Sequence, residues 1–244
     1  RTGARFGTLP PVPDHPALEH EILDLWEREG TFAKLVERNR GGPTFSFMDG
    51  PMTANGPAGV HHLGRVYKDA FQRYKALRGY DQRYQNGFDC QGLWVEVEVE
   101  KELGLNSKRD IEAYGLAKFA ERCKQRVAHF SEVQTKQSKR LGMWMDWDND
   151  YYTFSDTNIE YIWMFLKEVH SRGWLYKGHR STQWCPRCGT SLSKHEQAGE
   201  ENYRELEHPS LFVRFPLKDR DGESLVVWTT TPWTLPANVA AAVK

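Results

Sequence analysis

Two adjacent histidines, His61 and His62, follow a turn of small residues, Ala54-Asn55-Gly56-Pro57-Ala58-Gly59. A single carboxylate, Asp89, closes a second apolar run at Gly87-Phe88-Asp89. Imidazoles beside a helix N-terminus can steady a phosphate, and a turn without bulky side chains lets backbone amides approach an anion closely. Arg65 and Lys68 add positive charge nearby. This order of strand, turn, helix, strand and acid is that of an open α/β sheet, in which nucleotides bind where strands meet helices. No Gly-x-x-x-x-Gly-Lys-Ser/Thr motif occurs, which disfavours a P-loop. Taken alone, the histidines fit an ordinary strand-to-helix turn equally well, and Asp89 has the N-cap of the next helix as its alternative.

Three further groups carry chemistry. Cys185-Pro-Arg-Cys188 has the spacing of a zinc knuckle half-site; a tetrahedral ion needs four ligands, and His179 and His195 are the local candidates. Two structural thiols are the alternative. Thr229-Thr230-Thr231 reads by composition as a strand with hydroxyls on one face. Lys118, Arg122, Lys124, Arg126, Lys136, Lys139 and Arg140 fall in one helical stretch. A solvated helix face is the expected reading there, with contact to RNA phosphates as the alternative.

The elements that must position these groups follow from periodicity and punctuation. Residues 1–16 read as an irregular arm. A helix is expected over Ala17–Val36, with Asp14 as N-cap, then a strand over Thr44–Met48. A second helix is expected over Val66–Arg78, ended by Gly79, and a strand over Tyr80–Phe88. Val95–Leu103 reads as helix ended by Gly104, Ile111–Leu141 as one long helix, Met143–Tyr152 as a turn region, and Thr157–Arg172 as a helix capped by Ser155 or Asp156. A strand is expected from Trp174 into the knuckle. Short strands follow at Leu211–Pro216 and Leu225–Thr231 around a hairpin turn at Asp219-Arg-Asp-Gly222. The texture changes from helix-rich α/β to β-rich near 195–205.

The bulk numbers bound the rest. With 244 residues the chain suffices for one large domain or somewhat more. Lys and Arg balance Asp and Glu at 33 each, so a nucleic-acid surface would be a local patch. Aromatic residues make up 13%, which favours a folded chain over disorder. No apolar run reaches the length of a membrane span, so no membrane is expected. Four cysteines without a disulfide-framework spacing point to a reducing, cytoplasmic setting.

Read together, the motifs form a set. Asp49-Gly-Pro-x-Thr-Ala-Asn-Gly56, the two histidines, Lys68-Asp69, Arg73-Tyr-Lys-Ala-Leu-Arg-Gly-Tyr80 and Gly87-Phe-Asp-Cys-x-Gly-Leu-x-Val-Glu96 resemble the class I aminoacyl-tRNA synthetases, and within them the isoleucyl branch. Lys101-Glu-Leu-Gly-Leu105, Asp146-Trp-Asp-Asn-Asp-Tyr151, Trp184-Cys-Pro-x-Cys-Gly189 and Trp228-Thr-Thr-Thr-Pro-Trp-Thr-Leu-Pro-Ala-Asn238 extend the resemblance over nearly the whole chain from about residue 14. It implies an α/β fold: an arm and helix over 1–43, the first half of a Rossmann-like parallel-sheet catalytic domain over 44–200, and the opening of a β-rich editing insertion over 201–244.

The implied activity is ATP-dependent activation of isoleucine to the adenylate and transfer to tRNA(Ile), with hydrolytic editing in the longer protein. His61 and His62 are then catalytic. Asn55, Gly56, Gly59, His61 and His62 bind ATP, Pro51 and Asp89 bind the amino acid, Thr229, Thr230, Thr231 and Asn238 serve editing, and Cys185 and Cys188 bind metal. Mg²⁺ accompanies ATP, Zn²⁺ the knuckle, and the full-length protein is expected to be a monomer. The second catalytic half would lie beyond residue 244, so these residues alone are expected to be inactive. Departures from the family pattern stand at the turn itself: Gly59 occupies a usual His position and His61 a usual Gly. Met52, Gln91 and Trp94 also differ, which leaves the pocket contacts open. A valyl- or leucyl-type synthetase, or a non-catalytic tRNA- or zinc-holding module, are the alternatives.

Overall fold

The computed structural model describes residues 11–194, 196–198 and 203–242, so most of the expected arm and His195 lie outside the described residues. The chain forms two compact units. One runs through Arg180 and includes Pro186–Gly189; the other comprises Ser181–Cys185 and the residues from Thr190 onward.

In the first unit two extended segments run side by side in parallel. β1 (Phe47–Met48) pairs with β3 (Tyr84–Gln85), β2 (Met52–Thr53) pairs with β4 (Gly87–Asp89), and β5 (Tyr151–Tyr152) joins the other edge of β4. Pro51, which has no N–H to give a ladder, stands in the break between β1 and β2. Parallel neighbours need crossovers, and helices supply them. α1 (His15–Glu29) and α2 (Thr31–Asn39) precede the sheet; α3 (His61–Leu77) joins β2 to the β3–β4 segment. α4 (Leu93–Leu103), α5 (Lys108–Tyr114) and α6 (Leu116–Arg140) lie between β4 and β5, and α7 (Asp156–Ser171) follows. Ala54, Phe88, Cys90, Val95 and Val127 form one buried cluster, so the end of β2, β4, α4 and α6 share a core.

Several elements differ from expectation, for local reasons. The helix expected over 17–36 is two, because Gly30 takes φ 59° and its N–H closes α1 on the Glu27 carbonyl. The helix expected over 111–141 is broken at Gly115, φ 105°. Only glycine adopts such angles cheaply, and apolar periodicity runs across both breaks without registering them. α3 begins at His61 rather than Val66, with Gly64 inside it. The strand expected over 80–88 is two short pieces, and the region expected as turn at 143–152 contributes β5. From Trp174 to Trp184, regular strand is confined to the end, where β6 (Gln183–Cys185) begins. Gly104 ends α4 as expected, and Ser155 caps α7 by accepting from the Asn158 N–H.

In the second unit β6 pairs antiparallel with β7 (Thr190–Leu192). β8 (Leu211–Pro216) and β9 (Ser224–Thr229) form the expected hairpin, in register from Leu211↔Thr229 to Pro216↔Ser224, with Gly222 at φ 76° in its turn. A 3₁₀ helix, Pro232–Ala237, follows.

Candidate active site at the strand tips

β2 and β4 end side by side. Thr53 and Asp89 are register partners, the Ala54 N–H donates to the Asp89 carbonyl at 3.1 Å, and the Thr53 hydroxyl donates to Asp89 Oδ2 at 3.3 Å. The other carboxylate oxygen accepts from the Gln91 N–H at 3.5 Å, a long contact. Asp89 does not cap α4; Gly92 holds that position, with no side-chain cap bond. The carboxylate at the strand tip therefore stands half-buried, held by long hydrogen bonds rather than spent on a helix end.

From Thr53 the chain turns through 54–60 directly into α3, whose first residue is His61. No side chain caps that helix. The His62 N–H reaches the Gly59 carbonyl at 3.0 Å and the Leu63 N–H the Val60 carbonyl at 3.1 Å. Those two bonds occupy first-turn amides, so what this N-terminus offers an anion is chiefly the partial positive charge of the helix dipole. His62 sits in this first turn, 4% exposed. A Cβ built on Gly56 or Gly59 meets nothing within 4 Å, so the space beside the turn is open. Pro51 is exposed just before β2.

Asn55, expected at the nucleotide, is itself tied into the scaffold. Its Nδ2 donates to the Trp94 carbonyl at 2.8 Å, and its Oδ1 accepts from Arg126 Nε at 2.6 Å. Beneath the turn, Arg65 of α3 donates through Nε to Asp49 Oδ2 at 2.6 Å and through Nη2 to Asn86 Oδ1 at 2.5 Å, while Lys68 Nζ reaches Asp49 Oδ1 at 2.8 Å. The basic residues flanking the histidines thus anchor α3 to the sheet. Burial pushes the Asp150 carboxyl up to about 6, with Asn86 and Arg65 nearby opposing the rise. The lone cysteines are unsuited to nucleophilic work. Burial raises the Cys90 thiol and lifts Cys123 to about 11, with Glu96 and Glu100 adding to the latter.

Of the basic stretch on α6, Arg126 turns inward, Arg140 pairs with Glu19 at 2.6 Å and Lys136 with Glu132 at 2.5 Å. Cys185 ends β6 opposite Thr190, and Cys188 lies buried in the following turn. Among the described residues no group of three or more His, Cys, Asp or Glu is placed to hold a metal ion, and His179 is exposed. Among the described residues the two thiols are therefore short of the four ligands that a tetrahedral zinc ion needs. Thr229 and Thr231 lie at the end of β9 with their hydroxyl oxygens 3.3 Å apart; the Thr231 N–H donates to Thr229 Oγ1 at 3.0 Å. Thr230 and Asn238 are exposed. Cavities of about 820 and 430 Å³ border α1, with walls that include Trp26 and Gly142 and no residue of the strand-tip cluster. Geometry, not cavity size, marks the site.

Residues 21–231 match the family model described as tRNA synthetases class I (I, L, M and V). The chain belongs to the class I tRNA synthetases. It is 48% identical over 237 residues to the isoleucine–tRNA ligase of Thermus thermophilus, covering 95% of this chain and 22% of that protein. With the isoleucine–tRNA ligase of Streptomyces coelicolor it shares 46% identity over 245 residues, 99% of this chain and 23% of that one. The chain therefore spans less than a quarter of the length of these curated relatives. Among solved structures it is similar to Agrobacterium radiobacter K84 agnB2 LeuRS in a ternary complex with tRNA and LeuAMS. The TM-score is 0.57 at 16% identity, over 92% of this chain and 32% of that one, a likeness of fold. The parallel strands with their helical crossovers have the fold of a class I synthetase.

Sequence reasoning missed the residues of this synthetase domain that hold the turn from behind: Arg126, Gln134 and Gln137 of α6. A signal was present. Val127, Ser131, Gln134 and Ser138, all buried, recur at helical spacing, and polar types hid that face from an apolar-periodicity reading.

Proposed function

We propose that this chain forms part of the catalytic domain of an isoleucine–tRNA ligase. The observation that carries the reading is the register of Thr53 with Asp89, two strand tips that bring the acid beside the turn leading into His61 and His62. The identity to isoleucine–tRNA ligases supports it. In the first step the isoleucine carboxylate attacks the α-phosphorus of ATP and pyrophosphate leaves. In the second the terminal ribose hydroxyl of tRNA(Ile) attacks the carbonyl and AMP leaves. Displacement at phosphorus demands alignment and charge stabilisation more than covalent help. Asp89 holds the substrate ammonium, Pro51 and adjacent backbone line the amino-acid side, and Gly56, Gly59, His61, His62 and the positive end of the α3 dipole take the phosphates. Asn55 shapes the turn. Mg²⁺ would supply charge neutralisation at the nucleotide's phosphates.

The same reading assigns Thr229, Thr230, Thr231 and Asn238 to an editing site completed elsewhere in the longer protein. Editing has a physical motive: one methylene separates isoleucine from valine too weakly for a single pocket, and the handling of valine by this enzyme class is the standard illustration of that limit. Cys185 and Cys188 supply two thiolates of a zinc site whose other ligands lie outside the described residues. A cytoplasmic monomer completes the proposal; no helix among the described residues is long and apolar enough to cross a membrane.

The test is amino-acid-dependent ATP–pyrophosphate exchange by the longer protein that carries this chain, with isoleucine, valine and leucine in parallel. Isoleucine is expected to give the highest kcat/KM. Leading activity with valine or leucine would reassign the branch, and no exchange with any of the three would sink the ligase reading.

A further inference from the structure

One face of α6 grips the nucleotide turn. Arg126 donates through Nε to Asn55 Oδ1 and through Nη2 to the Asn55 carbonyl, both at 2.6 Å. Gln134 Nε2 donates to the carbonyls of Thr53 at 3.1 Å and Gly56 at 2.8 Å. Gln137 Oε1 accepts from the Ala58 N–H at 2.6 Å. At 3.6 residues per turn these three side chains fall within an arc of about 80° on the helix.

We propose that Arg126, Gln134 and Gln137 are positioning residues that orient the turn's backbone for the ATP phosphates. The inference rests on the synthetase reading above and adds residues that reading does not use. A peptide is planar, with its C=O and N–H on opposite edges. Drawing the Asn55 carbonyl toward α6 therefore turns the Gly56 N–H away from the helix, and the space beside Gly56 is open. The brace fixes which edge of the turn meets an anion. Arg126 also pairs with Glu102 at the end of α4, while Asn55 is bonded to the Trp94 carbonyl near that helix's start, so the turn, α4 and α6 are fastened to one another.

The two glutamines act with opposite polarity. Gln134 faces two carbonyl oxygens and must present its NH₂; its side chain is buried. Gln137 faces an N–H and must present its oxygen. The isosteric change to glutamate therefore has opposite consequences three residues apart. Gln134→Glu sets a carboxylate against two carbonyls. Gln137→Glu keeps the acceptor.

The experiment is ATP–pyrophosphate exchange by the longer protein, with KM measured separately for ATP and isoleucine. Gln134→Glu is expected to raise the KM for ATP about tenfold or more, the loss of one to two buried hydrogen bonds, with the KM for isoleucine unchanged. Gln137→Glu is expected to raise it far less, and Lys136→Ala, on the exposed side of the same helix, to leave it at the unaltered value. A merely structural role would move both substrates' constants together. Equal effects of the two glutamate variants on ATP, or no effect of Gln134→Glu, would overturn the brace while leaving the ligase reading intact. Absence of isoleucine-dependent exchange in the unaltered protein would remove both. Should Gln134→Glu fail to fold, Gln134→Met, which deletes the donors without adding charge, carries the same test with a smaller rise.

Discussion

Arg65 Nε lies 2.6 Å from Asp49 Oδ2, and the two side chains are 4% and 1% exposed. The pair sits where α3 leaves the turn at 54–60, so it sets the angle of the helix that starts with the two histidines. A charge buried this deeply survives only when it is paired and hydrogen-bonded. Asn86 and Lys68 complete the set, and Tyr151 Oη donates to the Asp49 carbonyl at 2.9 Å.

Removing the arginine leaves Asp49 with one half-exposed lysine. Arg65→Met is expected to lower unfolding free energy by about 3 kcal/mol, read by urea denaturation at neutral pH. Lys68→Met, at a side chain 47% exposed, is expected to cost only about 0.5 kcal/mol. Equal losses for the two variants would contradict this account of the network.

Asp150 gives a pH signature. Its folded-state pKa is about 6 because burial disfavours the charge, whereas an unfolded aspartate titrates near ~3.9. Between those values the folded state holds a proton that the unfolded state lacks. Its contribution to stability therefore falls as pH rises through that window, and the penalty is complete above it. Asp150→Asn is expected to be more stable than the unaltered protein at neutral pH, with the advantage shrinking toward pH ~4. Thermal melts across the window check it; an advantage that grows on acidification would reverse the sign.

Gly87 is required by a close approach. A Cβ there would fall 2.0 Å from Tyr151 Cζ and 2.1 Å from Cε1. Gly87→Ala must displace the ring that reaches the Asp49 carbonyl, at a cost of about 1–3 kcal/mol. Combined with Tyr151→Ala, the loss should be less than the sum of the single changes, since both act on one contact. Strict additivity in denaturation measurements would mean the ring is not what the methyl group meets.

For the proposed chemistry, Asp89→Asn keeps shape and removes charge. The KM for isoleucine is expected to rise roughly 10- to 100-fold, the loss of a charge-assisted hydrogen bond, while that for ATP holds. Exchange kinetics at varied isoleucine supply the measurement, and an unaltered KM would take Asp89 out of the amino-acid pocket.

The sequence made the local structure at the strand tips legible and much of its support illegible, for definite reasons. The turn 54–59, the acid at 89 and the caps at Gly104 and Ser155 are local signals, carried by residue type within a few positions. The breaks at Gly30 and Gly115 depend on backbone angle, which apolar spacing does not encode. β5 was hidden because Tyr151 and Tyr152 follow a run of acids and became a strand through pairing with Gly87 and Phe88, more than sixty residues away in the chain. Arg126 looked like one more cation on a solvated helix. Its inward role rests on contacts with Asn55 at a separation of 71 residues, information that no window along α6 contains.

The first helix is held to the domain by an aromatic clasp. Arg73 lies 5.4 Å from the Trp26 ring and 4.3 Å from that of Trp144, and the two indoles meet edge-on at 5.0 Å. Indole emission responds sharply to a guanidinium neighbour and to water. Detachment of that helix would therefore change the surroundings of two of the chain's nine indoles at once, a change that emission can follow once the other seven are replaced.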